Sequence, residues 1–294
     1  MAKHPFSSPA LRAFAGKLTG LANAMDQNVE FLWLILLGLF AGAYGTMVGA
    51  GGGFIIAPAL LFMYPTTAPE TITTISLAVV FANALSGTLA YARSKRIDYR
   101  YAIVFSLAAV PGAVYGALTT TMLNRAKFDL LFGVLIICVA VFLTWAPLKR
   151  TAKRGGESTL ETRKKPMSNV PMLLTGAGLS TSLGFISSFF GIGGGFLYVP
   201  ALVYLLKFPV HAATATSIFI LTLTALTGSV THVAAGLFKD GIRRALVLSV
   251  AAMVGAQIGA RLSDHIDNKW IIRSLIIALS LVGIRLIILS VYSM

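Results

Sequence analysis

Two glycine-rich segments contain the residue types best suited to binding a ligand through the backbone. Residues 49–60 read GAGGGFIIAPAL and residues 191–202 read GIGGGFLYVPAL, with eight of twelve residues identical at an offset of 142. Glycine has no Cβ, so consecutive glycines can adopt positive φ and bring their N–H groups close to a solute. A glycine loop that leads into a short helix is typical of an anion site, because free N–H donors and the helix dipole act at the same place.

The predicted site consists of the glycines of both segments and the proline that follows each. Pro58 and Pro200 lack an N–H and would suit the first turn of a short helix. The competing interpretation is that the glycines only let two helices pack closely. Because the motif occurs twice in a matched context, we favour a binding site formed by Gly49, Gly51, Gly52, Gly53, Pro58, Gly191, Gly193, Gly194, Gly195 and Pro200.

Polar residues recur on one face of the apolar segment that follows each motif. Ser217, Thr224 and Thr227 have helical spacing, and Ser76 and Asn83 repeat that spacing in the first half of the chain. Their hydroxyl and amide groups could complete a shell around an oxyanion. Ser and Thr in membrane helices also hydrogen-bond to the carbonyl four residues earlier, so a structural role for the hydroxyls stays open.

The other polar and small residues fit a transport protein better than an enzyme. Acidic residues fall at predicted helix ends or in loops, which argues against a carboxylate relay or a cation site. We expect His232 at the membrane interface, and Gln257 either reaches the pathway or bridges helices. No nucleotide motif, zinc spacing or acid pair occurs, so we expect no catalysis, cofactor or metal. Close helix packing is predicted at Gly112 with Gly116 and at Gly255 with Gly259.

Hydrophobic helices of membrane-spanning length must position these residues. Of 294 residues, 56% are hydrophobic and 12% are charged, and the mean hydropathy is +0.82. A soluble domain could not bury that much apolar surface. The fold class is therefore an all-α integral membrane protein. Eight apolar runs have about the 20 residues that a spanning helix needs: 31–50, 72–92, 101–121, 128–147, 171–190, 213–235, 242–260 and 271–291.

The net charge of +14 follows the rules of membrane topology. Lys and Arg lie in short loops between spans, and seven of the 24 fall within residues 148–170. That stretch has no aromatic residue between its basic ones, which argues against a nucleic-acid partner. We interpret it as a cytoplasmic linker. Residues 1–30 are interpreted as an amphipathic helix on the cytoplasmic face of the membrane.

The similarity between the two halves extends beyond the glycine motif. Ser76 corresponds to Ser217 at an offset of 141, and Gly112 corresponds to Gly255 at an offset of 143. Each repeat has about four spanning helices, with a glycine-rich break or re-entrant segment in its first helical unit. Charge counts favour parallel repeats, whereas a half-crossing segment would allow inverted ones, and both remain open. The predicted units are the extension 1–30, the first repeat 31–147, the linker 148–170 and the second repeat 171–294.

With its doubled Gly-x-Gly-Gly-Gly-Phe-x-x-x-Pro-Ala-Leu motif, the chain resembles the TauE/SafE sulfite exporter family over nearly all of residues 31–291. The resemblance covers both motifs, the segments around Ser76 and Ser217, and the basic central loop. It implies a duplicated permease that moves sulfite, sulfoacetate or related sulfur-containing organic anions without ATP. By position, it also implies that the motif glycines and prolines line the pathway. The extension 1–30 is not part of the shared core.

The expected function is secondary transport of small sulfur-containing oxyanions, such as sulfite or an organosulfonate, by alternating access around the glycine site. One alternative is a channel-like conductor of anions. Another is a membrane scaffold or assembly protein whose N-terminal helix recruits a partner. The expected partners are a small anion and the lipid bilayer, while a coupling proton and a homodimer are left open. The expected location is the cell membrane, as a multi-pass protein of a bacterial inner membrane.

Overall fold

The computed structural model describes the backbone of residues 9–145, 170–206, 208–237, 241–263 and 268–293. Side chains are described for residues 28–145, 176–206, 208–237, 241–263, 270 and 273–288. The basic linker and the amphipathic face of the N-terminal extension therefore lie outside the described residues. Within them, the chain forms ten helices and no strand: α1 (Pro9–Val48), α2 (Gly53–Met63), α3 (Pro69–Arg93), α4 (Tyr99–Thr119), α5 (Arg125–Trp145), α6 (Val170–Phe190), α7 (Gly195–Pro200), α8 (Val210–Ala234), α9 (Ile242–Leu262) and α10 (Asn268–Ser293).

Length and hydropathy separate spanning helices from short ones. Two short apolar helices, Gly53–Met63 and Gly195–Leu205, fall below the roughly 20 residues of a spanning helix. α3 and α8 are the most buried spans, at 67% and 61%, against 39–44% for the others, so they form the centre of the bundle. Among the described residues, six helices are long and apolar enough to cross a membrane: Asn28–Val48, Pro69–Arg93, Tyr99–Met122, Arg125–Trp145, Val210–Ala234 and Ile242–Leu262.

Small residues bring the long helices into backbone contact. A methyl group on Gly42 of α1 would collide with the backbone of Ala252 in α9. In the same way, one on Gly112 of α4 would collide with the backbone of Thr181 in α6. Gly116, Gly255 and Gly259 face a neighbouring backbone just as closely, which confirms the predicted close packing. α1 therefore lies along α9, and α4 lies along α6.

One end of the bundle, which we call the Glu30 end, is held by charged groups. Glu30 of α1 accepts hydrogen bonds from Tyr64 Oη and from Arg244 Nε, the latter at 2.8 Å. The Arg244 guanidinium also stacks over the Tyr64 ring, 3.9 Å from its centre. Burial, followed by the hydrogen bond to Glu30, raises the pKa of the Tyr64 hydroxyl, so it stays protonated and can donate.

α2 runs back along α1 toward this same end. A methyl group on Gly52, just before α2, would lie 2.5 Å from the carbonyl oxygen of Ala41. Tyr64, just after α2, contacts Glu30. The two ends of α2 therefore lie beside Ala41 and Glu30, which are eleven residues apart on α1. α1 and α2 form a hairpin whose open end is the Glu30 end of the bundle.

At the opposite end, which we call the Asp98 end, aromatic and neutral polar contacts join the helices. The N–H of Asp98 donates to Thr216 Oγ1 at 3.2 Å. The rings of Tyr101 and Phe208 meet edge to face, with centres 5.3 Å apart. α6 runs in the same direction as α4 and so begins at this end: Ser180 Oγ donates to the carbonyl of Phe105 at 2.7 Å, and further along both helices Thr120 Oγ1 donates to the carbonyl of Phe189 at 2.9 Å. α1 and α6 thus enter the bundle from opposite ends.

We expect Arg125→Gln to destabilise the Glu30 end strongly. Arg125 begins α5, and its guanidinium donates to three carbonyls at the C-terminal end of α2, those of Leu61, Tyr64 and Thr67. Bonds to a charged group each contribute about 1.5–3 kcal/mol, so a loss of about 3 kcal/mol is the expected net change in the free energy of unfolding. A lower thermal unfolding midpoint of the purified protein in detergent measures this loss.

The matched control for Arg125→Gln is Lys127→Gln, two residues further along α5. The Lys127 side chain is exposed, so its loss should leave the unfolding midpoint unchanged. Equal midpoints for both variants would contradict a stabilising role for the three carbonyl contacts.

Candidate functional site

The two glycine loops adopt the backbone conformation for which glycine is required. In residues 49–52, the φ angles of Gly49, Gly51 and Gly52 are +83°, +75° and +73°. In residues 191–194, the equivalent angles are +69°, +77° and +76°. Residues with a Cβ rarely adopt this left-handed region. The loops therefore share one conformation that the glycines at these positions allow.

Each glycine loop leads directly into the N-terminus of a short helix. Gly52 is the N-terminal cap of α2, and Gly194 is that of α7. The carbonyl of Gly52 accepts from the amides of Ile55 and Ile56, both at 3.0 Å, so the helix begins at once. The first amides of a helix have no acceptor within it. Those of residues 53–54 and 195–196 are thus the natural donors of this site.

The two loops lie against each other in the middle of the bundle. A methyl group on Gly53 would collide with the carbonyl oxygen of Ile192 in the opposite loop. Conversely, a methyl group on Gly195 would lie 2.5 Å from the carbonyl oxygen of Gly49. All the motif glycines are buried. The arrangement brings two helix N-termini together where α3 and α8 cross, and it has no room for a side chain between the loops.

Ser217 and Ser76 occupy matched positions but make different contacts. Ser217 Oγ is buried and lies 2.8 Å from two carbonyl oxygens, that of Gly49 in the first glycine loop and that of Thr214 in its own helix. Ser76 is equally buried, yet its hydroxyl has no hydrogen-bond partner among the described residues. Buried hydroxyls without partners are uncommon in folded proteins. Ser76 is therefore available to a ligand in a way that Ser217 is not.

Asn83 presents an unused donor inside the bundle. Its side chain is fully buried, and Oδ1 lies 3.3 Å from Thr46 Oγ1 near the end of α1. The Nδ2 group has no hydrogen-bond partner among the described residues. A buried amide donor left unpaired costs about 1–3 kcal/mol, so such groups are expected where a ligand or water completes the set.

The threonines of α8 use their hydroxyl protons within their own helix. Thr224 Oγ1 donates to the carbonyl of Ile220 at 2.9 Å, and Thr227 Oγ1 donates to that of Leu223 at 2.9 Å. This is the structural alternative left open by the sequence. Each hydroxyl has a single proton, so in this arrangement the two threonines offer lone pairs, not donors, to a ligand.

The positions of the two prolines differ from the prediction. Pro58 is the sixth residue of α2, and Pro200 is the last residue of α7, so neither lies in a first turn. At these positions the missing N–H removes the usual hydrogen bond to the carbonyl four residues earlier, on Phe54 and Phe196. Pro200 is followed by a π-helical turn, Ala201–Leu205. The prolines therefore weaken the two short helices from within.

His232, which was expected at the membrane interface, lies at the end of a spanning helix and packs inside the bundle. The side chain is fully buried in the last turn of α8, and its Nδ1 lies 2.6 Å from Thr74 Oγ1 of α3. Gln257 bridges helices, because its Nε2 donates to both the carbonyl and the hydroxyl of Ser86 at 2.8 Å. Hydropathy alone could not place either side chain, because it does not report which helices are neighbours.

Sequence reasoning missed several polar residues that border the loops. Three fully buried residues lie in the last turns of the helices before the glycine motifs: Thr46 in α1, and Ser187 and Ser188 in α6. The hydroxyls of Ser187, Ser188 and Thr214 have no hydrogen-bond partner among the described residues. The sequence repeat could have indicated these residues, because Gly45-Thr46 aligns with Ser187-Ser188 at the offset of 142. Within the described residues, no cluster of His, Cys, Asp or Glu could hold a metal ion.

A bundle of apolar spanning helices around two paired, buried helix N-termini is typical of a multi-pass membrane transporter. Residues 34–286 match the family described as "Sulfite exporter TauE/SafE". The chain therefore belongs to the TauE/SafE family. A "Probable membrane transporter protein YunE" of Bacillus subtilis is 32% identical over 275 residues, covering 90% of this chain and 100% of the relative.

More distant relatives have similar names. A probable membrane transporter protein of Methanocaldococcus jannaschii is 27% identical over 249 residues, covering 80% of this chain and 87% of the relative. Another, of Haemophilus influenzae, is 26% identical over 260 residues, covering 87% of this chain and 94% of the relative. No solved structure matches the chain.

Proposed function

We propose that the protein is a secondary transporter of small sulfur-containing oxyanions, such as sulfite or an organosulfonate. The observation that carries this proposal is the meeting of two glycine loops, each at a helix N-terminus, in the middle of the bundle. Free amide donors and two converging helix dipoles favour a negative charge at this point. The family description supports sulfite as the first substrate to test.

Neutral donors would form the rest of the anion shell. Asn83 Nδ2 and Ser76 Oγ are buried and have no hydrogen-bond partner among the described residues. Away from water, such donors interact more strongly with an anion than they would at a surface. A site without a fixed positive charge would hold an anion weakly enough to release it. This property suits a carrier.

Inverted repeats would provide the two access states. The α1–α2 hairpin opens toward the Glu30 end, whereas α6 enters from the Asp98 end. Three helices follow the hairpin in each repeat, α3 to α5 in the first and α8 to α10 in the second. Because each repeat would then cross the membrane an odd number of times, the second repeat would be inverted relative to the first. Of the two arrangements left open by the sequence, this favours the inverted one. Rocking one repeat against the other would expose the glycine site to each side in turn.

Charge placement assigns the Asp98 end to the cytoplasm in this proposal. The loop at 93–100 has four Lys or Arg residues and the linker at 148–170 has seven, and both join helix ends at the Asp98 end. The loops at 65–71, 122–127 and 236–244 have none, two and three. Since α1 begins at the Glu30 end, the extension 1–30 would lie on the outer face, contrary to our expectation from sequence.

We expect sulfite or an organosulfonate to stabilise the purified protein against heat. A ligand bound only to the folded state at 100 times its Kd adds about 2.7 kcal/mol to the free energy of unfolding. The measurement is the thermal midpoint across sulfite, thiosulfate, sulfoacetate, taurine, sulfate and acetate, followed by counterflow of the stabilising anion in proteoliposomes. Acetate is the control that a sulfur-oxyanion site should reject. Stabilisation by acetate alone, or sulfite counterflow no faster than in empty liposomes, would contradict the proposal.

A further inference from the structure

His232 is a buried base whose second ring nitrogen is unused. Thr74 Oγ1 lies 2.6 Å from His232 Nδ1 and 2.7 Å from the carbonyl oxygen of Glu70. The Glu70 carbonyl accepts from the Thr74 hydroxyl and is also a hydrogen-bond partner of the imidazole, and both contacts fit the tautomer that carries its proton on Nδ1. In that tautomer the neutral ring has its lone pair on Nε2. That atom is buried and has no hydrogen-bond partner among the described residues.

The matched position in the first repeat holds a residue that cannot accept a proton near neutral pH. Tyr91 corresponds to His232 at the offset of 141, and it is equally buried. Its hydroxyl donates to the carbonyl of Thr46 at 2.9 Å, so its proton is in use. Histidine is the side chain whose ordinary pKa allows protonation and deprotonation near neutral pH. The two halves therefore differ at this point by one proton-binding group.

The last turns of α8, which hold His232, pack close to the second glycine loop. Gly228 lies one turn before His232 on the same face of α8, and a methyl group on Gly228 would lie 2.7 Å from Ser188 Oγ. Ser188 precedes Gly191 by three residues. Its hydroxyl, like that of the neighbouring Ser187, is buried without a partner among the described residues. A methyl group on Gly191 would in turn lie 2.7 Å from Cα of Thr73, the neighbour of Thr74, so the helix segments that hold His232 pack against the second glycine loop.

Among the ionisable groups around α8, His232 is the one best placed to change charge. Glu70 lies one turn before Thr74, and its backbone hydrogen-bonds to the imidazole. Glu30 is paired with Arg244, and Arg93 and Arg100 lie at the other end of their helices. In the described part of the helices packed on α8, the remaining ionisable side chains are tyrosines: Tyr44 on α1, Tyr91 on α3, Tyr99, Tyr101 and Tyr115 on α4, Tyr198 on α7 and Tyr204 after it.

We propose that His232 carries the proton that crosses the membrane together with the anion, an inference that rests on the proposed transport function. When the site opens to one side, a hydronium ion gives its proton to Nε2: an O–H bond breaks and leaves water, an N–H bond forms, and the ring becomes a cation. The positive charge favours an anion at the neighbouring glycine loop. When the site opens to the other side, Nε2 returns the proton to water and the anion loses that attraction. One proton and one anion thus move together.

The test uses purified full-length protein in proteoliposomes with sulfite and an imposed difference of one pH unit, at zero membrane potential. With one proton per singly charged anion, wild-type protein should accumulate sulfite about tenfold on the alkaline side. His232→Asn keeps a polar group near Thr74 but cannot be protonated. This variant should still exchange sulfite, more slowly because the attraction of the imidazolium is lost, but should not accumulate it. His211→Asn, at the opposite end of α8, is the matched control and should accumulate sulfite as wild type does.

Three outcomes would overturn the proposal. Tenfold accumulation by His232→Asn would show that the proton travels elsewhere, for example on bisulfite itself. Loss of sulfite exchange in both His232→Asn and His232→Gln would show that the residue serves binding or folding, not coupling. Absence of sulfite movement in the wild type would contradict the proposed function, and with it this inference. In the first two cases the transport function stands and only the role of His232 fails.

Discussion

Adding a single methyl group at Gly53 or at Gly195 should abolish most transport. Both residues begin helices, and neither has a positive φ, so alanine fits the local backbone. The new Cβ would instead collide with the opposite loop, at the carbonyl of Ile192 or of Gly49. Overpacking of this kind costs about 1–3 kcal/mol, and the loops must separate to relieve it. We expect the rate of sulfite exchange per mole of purified protein to fall by about tenfold or more.

Gly178→Ala is the control for these variants. Gly178 lies in α6, and a Cβ there would meet no atom within 4 Å. The substitution should leave transport and the unfolding midpoint unchanged or slightly raise the latter, because alanine favours a helix more than glycine does. Wild-type exchange rates in Gly53→Ala and Gly195→Ala would show that the contact between the loops has no part in transport. The glycines would then serve helix packing alone.

The second large effect is expected at Asn83, where stability and function should change in opposite directions. Leucine is close to asparagine in shape and has no polar group, so Asn83→Leu removes the buried Nδ2 that lacks a partner. The freed Thr46 hydroxyl can donate to the carbonyl four residues earlier in its own helix. We expect the unliganded protein to gain about 1–3 kcal/mol in the free energy of unfolding. Sulfite exchange should fall by about tenfold or more.

Two measurements on the same preparation decide this prediction. The thermal midpoint without ligand should rise in Asn83→Leu, and the further rise produced by sulfite in wild-type protein should disappear. Ser217→Ala is a useful comparison, because the Ser217 hydroxyl is already paired with Gly49, and its loss should lower the unliganded midpoint. A lower unliganded midpoint in Asn83→Leu, with sulfite stabilisation retained, would mean that Asn83 is a structural residue and not a ligand-binding one.

Hydropathy and spacing were enough to predict the elements of this fold. The predicted runs at 72–92 and 101–121 lie within or overlap α3 and α4, because length and apolar composition are what a bilayer demands of a helix. The doubled motif likewise predicted two glycine loops before short helices. Six positive φ angles at the predicted glycines agree with that reading. These features are local, so the sequence contains all the information that they require.

Contacts between distant segments were beyond the reach of the sequence. The spacing of Thr224 and Thr227 defines a helix face but does not decide whether a hydroxyl bonds to a ligand or to its own helix. The burial of His232 depends on Thr74, 158 residues away. The relative orientation of the two halves depends on whether α2 continues across the membrane or turns back. A few loop charges could not settle that question.

The chemical difference between the two ends has a consequence for which way the protein faces at rest. At the Glu30 end, the ion pair of Glu30 with Arg244 is about one-third exposed, so dissolved salt weakens it. At the Asp98 end, the contact of Tyr101 with Phe208 depends on apolar burial, which weakens on cooling and is little affected by salt. Concentrated salt should therefore weaken the contacts at the Glu30 end, and cold should weaken the contact of Tyr101 with Phe208 at the Asp98 end. The side of the membrane to which the empty carrier opens should then depend on salt concentration and temperature as well as on the sequence.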